Sequence, residues 1–319
     1  MKKSKLIFCS IIITANMILS YGCKKSSDNT TPAPTATTNV TWQQTSGPGN
    51  CTIATNGSNI FAGNPQTGAL LSTDNGSTWS AINNGLTFGF NGFRFAFNGS
   101  NIYTSTNGGI YLSTDNGSNW SALNTSGLPP LSSIAYSIAV SGSNIFAGAD
   151  GGGIYLSSNN GGNWSQLTGF PNFSVSRLTI IGSKIFASSN GGLFLSNNNG
   201  ISWTNIGLSA YTVYSVAMIG STIFAGVGTA GVFKSTDNGN SWTLSYDGTG
   251  QGIWVLSLAT SGTKIFAGGQ GGGVLESSDG GNIWSSANTG LTETSVCSVA
   301  ISGTTIFTGT QLHIWKRAL

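Results

Sequence analysis

The stretch Ser235–Trp242, STDNGNSW, decides how the chain folds, because near-copies of it return at almost constant intervals. They are STDNGSTW (72–79), STDNGSNW (113–120), SSNNGGNW (157–164), SNNNGISW (196–203) and SSDGGNIW (277–284). Their closing tryptophans, Trp79, Trp120, Trp164, Trp203, Trp242 and Trp284, are 41, 44, 39, 39 and 42 residues apart. A period near forty in a Gly- and Asn-rich, β-favouring chain marks a radial array of four-stranded sheets.

Each unit holds four short apolar runs. The first is like SIAVSG (137–142). The second is IFAG or a variant, beginning at Ile60, Ile102, Ile145, Ile185, Ile223, Ile265 and Ile306. A third run such as GIYLS (153–157) leads into the Asp-containing turn, and the fourth starts at the Trp, as in NWSQLTG (163–169). Short runs separated by SGSN, GGG and DNG turns predict β-hairpins. Val40 to Leu319 is 280 residues, or seven units of forty. The expected fold is therefore all-β, a seven-bladed β-propeller of four-stranded antiparallel blades.

Seven second-strand motifs face only six copies of the repeated turn. The last unit ends on its third strand, at HIWKRAL, while TWQQTSG (Thr41–Gly47) matches a fourth strand and puts Trp42 at the repeat-Trp position. The N-terminal strand is expected to complete the last blade and close the ring, which removes an open sheet edge.

Only 7% of residues are charged, against about 25% in an average domain. The regular apolar alternation nevertheless predicts a packed fold rather than disorder. The net charge of +3 comes from Lys2, Lys3 and Lys5; beyond them nine basic residues balance nine acidic ones. A neutral body lacks the electrostatic footprint of a nucleic-acid binder. His313 is the single histidine, which argues against histidine metal clusters and a Ser-His-Asp triad. The runs Gly151–Gly153 and Gly271–Gly273 lie between strands with no helix behind them, so they read as turns, not phosphate loops. No metal or cofactor is expected.

Residues 1–22 have a basic start and an apolar run from Leu6 to Leu19, too short for an ordinary spanning helix. The run ends in LSYGC (19–23), which resembles the lipobox of bacterial lipoproteins, departing from it in having Ser20 three residues before the Cys. The resemblance implies cleavage before Cys23, a lipid on its sulfur and attachment to a membrane of the bacterial cell envelope, facing the periplasm or the outside. Residues 23–39, including KKSSDNTTPAPTATTN, are expected to be a flexible tether, and 40–319 the folded ring.

The repeated SxDxGxxW turn resembles the Asp-box, or BNR repeat, and the likeness runs from Val40 to the C-terminus. Sialidases, sortilin-type receptors and the photosystem II assembly-factor family carry it. The resemblance implies a structural turn between third and fourth strands, on the face opposite the binding site. The residue chemistry agrees: Asp accepts turn N–H groups, the next residue tolerates positive φ, and Trp fills space between sheets. Asp74, Asp115, Asp237 and Asp279 keep the acid, while Asn159 and Asn198 replace it. That tolerance suits hydrogen bonding better than catalysis or metal ligation.

By the same analogy, the binding face carries the fourth-to-first and second-to-third strand connections. Aligning the first strands puts Thr52, Arg94, Ser137, Arg177, Ser215, Ser257 and Ser298 in one column. Arg94 and Arg177 either pair with backbone carbonyls at the channel mouth or capture a carboxylate or sulfate by their planar forks. The loops also hold Phe88, Phe90, Phe93, Tyr136, Phe173, Tyr211, Tyr214 and Trp254. Phe93, Tyr136 and Tyr214, beside the column, are expected to pack between blades. Phe90, Tyr211 and Trp254 are expected to be exposed, for stacking on sugars or a protein ligand.

A sialidase-like glycoside hydrolase is the alternative. That family uses three arginines, a Tyr–Glu nucleophile pair and an acid Asp, and GFRFA (92–96) only loosely resembles its FRIP motif. Arg317 aligns at the far end of a third strand. Glu276 aligns with Lys234 and Lys316 of flanking blades and reads as half of a structural ion pair. Asp247 and Glu293, in neighbouring loops, are the candidate carboxylate pair, with Asp150 a further loop acid; surface solvation accounts for all three. Cys51 and Cys297 align in the first strands of blades one and seven, where closure makes a disulfide conceivable.

The reading expected is a monomeric, non-catalytic, envelope-anchored binding or scaffold propeller with a glycan or protein ligand. A third alternative is a factor for assembly of a membrane complex.

Overall fold

A computed structural model describes residues 40–50, 52–88, 92–129, 137–150, 152–249 and 252–319. Cys23, Cys51, Phe90 and Tyr136 lie outside the described residues, as do the leader and tether. The rest is all-β: seven four-stranded antiparallel sheets, with no helix among the described residues. The first strands of successive blades touch around a full circle, blade 7 meeting blade 1.

Blade 1 starts at Thr52, blade 2 at Arg94, blade 3 at Ser137, blade 4 at Val175, blade 5 at Ser215, blade 6 at Trp254 and blade 7 at Val296. In six of them the strands follow chain order from the channel outward. In blade 7 the outermost strand is Gln43–Pro48, paired antiparallel with His313–Ala318 (Gln43 opposite Lys316). Both chain ends thus close one sheet.

The sequence explains each joint. The first hairpin of every blade turns on a glycine (Gly142 is representative, φ 59°), and nothing lies within 4 Å of where its Cβ would be. Conformation, not space, selects glycine there. The IFAG strands are buried almost throughout, as in Asn144–Ala149. The glycine of this motif answers a different need: a Cβ on Gly148 would lie 2.5 Å from Val175 of the next blade.

The core consists of seven apolar clusters, each astride two adjacent blades. The repeat tryptophans reach across the same joints. In three of them indole Nε1 donates to a carbonyl of the preceding blade's outer connection: Trp120 to Ile82 (2.8 Å), Trp164 to Asn124 (2.7 Å), Trp242 to Ile206 (2.6 Å); Trp284 donates to Ser245 Oγ (3.0 Å). Trp42 donates to the carbonyl of Ala287 of blade 6 (2.5 Å), from the other end of the chain.

The fourth strands differ from expectation. In blades 1, 2, 3, 4 and 6 they have only two residues, both exposed. Outermost strands have one neighbour and no cover, and short edges resist pairing with other chains. Blades 5 and 7 are the exceptions: blade 7 has Gln43–Pro48, and in blade 5 Thr243–Asp247 is five residues long, so Asp247 ends a strand rather than lying in a loop.

Within the repeated turn Asp237 Oδ1 accepts from Ser241 N (2.9 Å) and Ser235 Oγ (2.7 Å), and Oδ2 from Ser241 Oγ (2.6 Å). The hydrogen bond from the Ser241 side chain leads those that bring the Asp237 carboxyl down to about 2. Asn198 uses its amide oxygen identically, accepting from Ser202 N and Ser196 Oγ (both 2.9 Å), and donates from Nδ2 to Ser202 Oγ (2.9 Å). Asp237→Ala is therefore expected to lower the melting temperature and Asp237→Asn to restore most of the loss; a scan of both variants at neutral pH checks it. Because the folded pKa is depressed, this contribution is present above the usual carboxylate range and is lost as pH falls through about 2.

Candidate functional site

The first strands wall a central channel, and Arg94 and Arg177 reach into it. Two cavities of about 290 and 270 Å³ both have Thr52, Arg94 and Arg177 in their walls. The second lies at the mouth, where Asp150, Ser176, Tyr214, Leu256 and Cys297 join them. This end of the ring carries the fourth-to-first and second-to-third connections; the Asp-containing turns are at the other end, beside the first hairpins.

Most of the hydroxyl column faces the joints between blades rather than the channel. Ser137, Ser257 and Ser298 are buried, and each accepts a backbone N–H of the next blade: Leu178 (2.6 Å), Val299 (3.1 Å) and Ile53 (3.2 Å). Ser215 is buried at the same level without a partner for its hydroxyl among the described residues. Small hydroxyls thus stitch inner strand to inner strand, which leaves the arginines as the long polar side chains of the column.

The two arginines are held differently. Arg94 Nη1 donates to Phe93 O (3.0 Å) and Thr52 Oγ1 (3.3 Å), so both sequence alternatives share it: a carbonyl takes part of the guanidinium and the rest faces the cavity. Arg177 forms no hydrogen bond or ion pair with a described residue. Burial in the channel, with Arg94's charge second, brings it down to about 10; burial lowers Arg94 too.

A feature absent from the sequence reading aims Arg177. The first strands of blades 4, 6 and 7 slip register at Ser176, Leu256 and Cys297, and all three residues line the mouth cavity. Bulges insert one residue and redirect those that follow. Cys297, at such a bulge, is a free thiol whose pKa burial raises.

The aromatic residues divide largely as expected. Phe93 is buried. Tyr211 and Trp254 are 40% and 41% exposed and Phe173 36%, which leaves faces open for contact. Trp254 meets Tyr214 edge-on (5.9 Å), while Tyr211 lies tilted against Phe233 (5.4 Å) and Phe173 tilted against Phe194 (5.8 Å).

The acids have intramolecular partners. Glu293 accepts from Thr310 Oγ1 and Leu312 N (3.0 Å) and lies 2.5 Å from His313 Nδ1. Burial pushes its pKa up, but these bonds outweigh burial and hold it below the usual value. Asp247 accepts from Thr249 N and Oγ1 (2.8 and 2.5 Å), and Thr249's side-chain bond leads in lowering it. Neither lines the channel cavities; Asp150 does. Glu276 is in an ion pair, though not with the lysines it aligns with: its partners are Arg317 (2.5 Å) and Lys264 (3.2 Å). Arg317 is buried over Trp42 and Phe266, away from the channel lining.

No protein-family model matches the chain, and neither does any curated protein sequence. Solved structures do match. YCF48 bound to D1 peptide is 17% identical over 88% of this chain and 97% of that one, with a TM-score of 0.67. The GH74 xyloglucanase from Xanthomonas campestris is 15% identical over 87% of this chain and 53% of its own, at 0.70. The extracellular domain of BT4673 from B. thetaiotaomicron is 14% identical over 86% and 39%, at 0.69. At these identities the likeness is one of fold.

Proposed function

We propose that the chain is an exported, non-catalytic binding or scaffold propeller of the Asp-box type, capturing a protein or glycan ligand on its funnel face. The observation that carries this reading is the mouth itself. Exposed Tyr211, Trp254 and Phe173 lie in or beside the connections at the end of the ring where the arginine-lined cavity opens, while the described acids other than Asp150 are bound into the fold. Rigid aromatics with one open face are the usual anchors of such surfaces. That YCF48 was solved with a peptide bound supports the protein ligand. Phe90, in the same loop set, is a further candidate contact.

Hydrolysis of glycosides needs two carboxylates flanking the bond, and Asp150 stands alone among the cavity acids, so this reading takes second place. The lipobox-like LSYGC supports a lipid anchor at Cys23 in a membrane of the cell envelope; palmitate labelling that disappears in Cys23→Ser tests that part. A glycan array and an envelope-protein pulldown test capture. Tyr211→Ala and Trp254→Ala are each expected to weaken it about tenfold or more. Unchanged capture in both variants, or turnover of fluorogenic glycosides, would sink the reading.

A further inference from the structure

Elsewhere in this fold a buried arginine is neutralised. Arg317 faces Glu276 at 2.5 Å. The channel arginines have no such partner. Val40–Leu319 contains eight acidic residues. Asp74, Asp115, Asp237 and Asp279 are bound into the repeated turns, Asp247 to Thr249, Glu276 to Arg317 and Lys264, and Glu293 to His313. The eighth, Asp150, is exposed on the mouth wall and forms no ion pair with either arginine. Two positive charges therefore share one confined, water-accessible space, and the one acidic wall residue among the described residues, Asp150, pairs with neither. Each raises the free energy of the other, and low-dielectric walls strengthen that effect and its relief by an anion.

We propose that the channel mouth binds one dianionic tetrahedral oxyanion, free phosphate or sulfate or a phosphate monoester on a larger ligand, between Arg94 and Arg177. Each guanidinium presents a planar fork that engages two oxygens. A tetrahedral dianion has enough oxygens for both forks and a charge that balances both. A carboxylate fits one fork and leaves the other charge unbalanced. Thr52 adds a hydroxyl: its Oγ1 accepts from Arg94, leaving its O–H to donate. The bulge at Ser176 turns the strand so that Arg177 completes the pair. The site deepens the funnel-face reading by naming a ligand chemistry, and it does not use the rim aromatics.

The test is titration calorimetry on the purified full chain in detergent, at constant ionic strength, with sodium phosphate, sulfate and acetate. Phosphate or sulfate is expected to bind saturably at one ion per chain, and acetate about tenfold or more weaker. Arg94→Gln and Arg177→Gln should each weaken binding about tenfold or more, and Arg177→Lys, which keeps charge without the fork, should fall between. A phosphoserine peptide and glucose 6-phosphate, run beside the free ions, separate the sources: tighter binding of either assigns the site to a carried group, equal or weaker binding to the free ion. On the unsubstituted chain, phosphate or sulfate should also protect arginine from phenylglyoxal, a readout independent of how the variants fold. Absence of saturable binding, parity of acetate with both dianions, absence of protection, or undiminished binding in the double glutamine variant would overturn the proposal. Ion binding is read by calorimetry and capture by the glycan array and pulldown, so the channel and the rim fail separately.

Discussion

Trp42→Ala is expected to lower the unfolding free energy by about 3–5 kcal/mol, a large share of the roughly 5–15 kcal/mol that holds a typical domain together. The residue is 3% exposed, packs with Phe266, Val296 and Ile306, and donates to Ala287 O. Its ring also lies under the Arg317 guanidinium, 5.3 Å from the ring centroid. Truncation therefore opens a cavity and strips cover from a buried charge beside the one blade whose outer strand comes from the opposite end of the chain. Equilibrium urea unfolding reads the effect. Trp42→Phe should recover part of it, losing the Nε1 bond at about 1 kcal/mol. Deleting residues 40–48 goes further, baring the edge of His313–Ala318, and should produce concentration-dependent association visible by light scattering. A loss below about 1 kcal/mol for Trp42→Ala would mean that the borrowed strand is not part of the cooperative ring.

The second large effect is expected at Glu276. Arg317 is 7% exposed and depends on this carboxylate for its charge balance. Glu276→Gln should cost about 3–5 kcal/mol, because it leaves a buried cation uncompensated. Replacing both residues, as Glu276→Gln with Arg317→Met, should cost much less than the single change, and a double-mutant cycle measures the coupling. Acid should mimic Glu276→Gln. Burial raises the Glu276 pKa, but Arg317 and Lys264 outweigh it and hold the pKa below its unfolded value. The stabilisation is then fully present above the unfolded carboxylate range and is lost as pH falls through the depressed folded value. A stability–pH curve that steepens there in the parent and flattens in Glu276→Gln checks the assignment. Additive costs in the cycle would refute it.

The ring was legible because repetition multiplies weak local signals. One hairpin glycine says little; seven at matching positions, each with φ between 56° and 61°, leave little choice of strand count. The missing fourth strand was equally legible, since Trp42 and TWQQTSG matched a gap at the opposite terminus. The site was less so. Sequence alignment brought Arg94 and Arg177 into one column and picked Tyr211 and Trp254 as exposed, because residues that break a repeat stand out against it. It missed the bulges at Ser176, Leu256 and Cys297, which depend on pairing with the neighbouring strand.

By itself, then, the sequence determined the period, the number of blades and the way the two termini meet, since turn chemistry and apolar alternation act within a few residues. The tertiary structure alone decided which polar side chains have partners. It gave Glu293 to His313 and Glu276 to Arg317, set the column serines against neighbouring backbone, and left Arg94 and Arg177 facing an open channel. Charge compensation is a matter of distances across blades, and no local pattern encodes those.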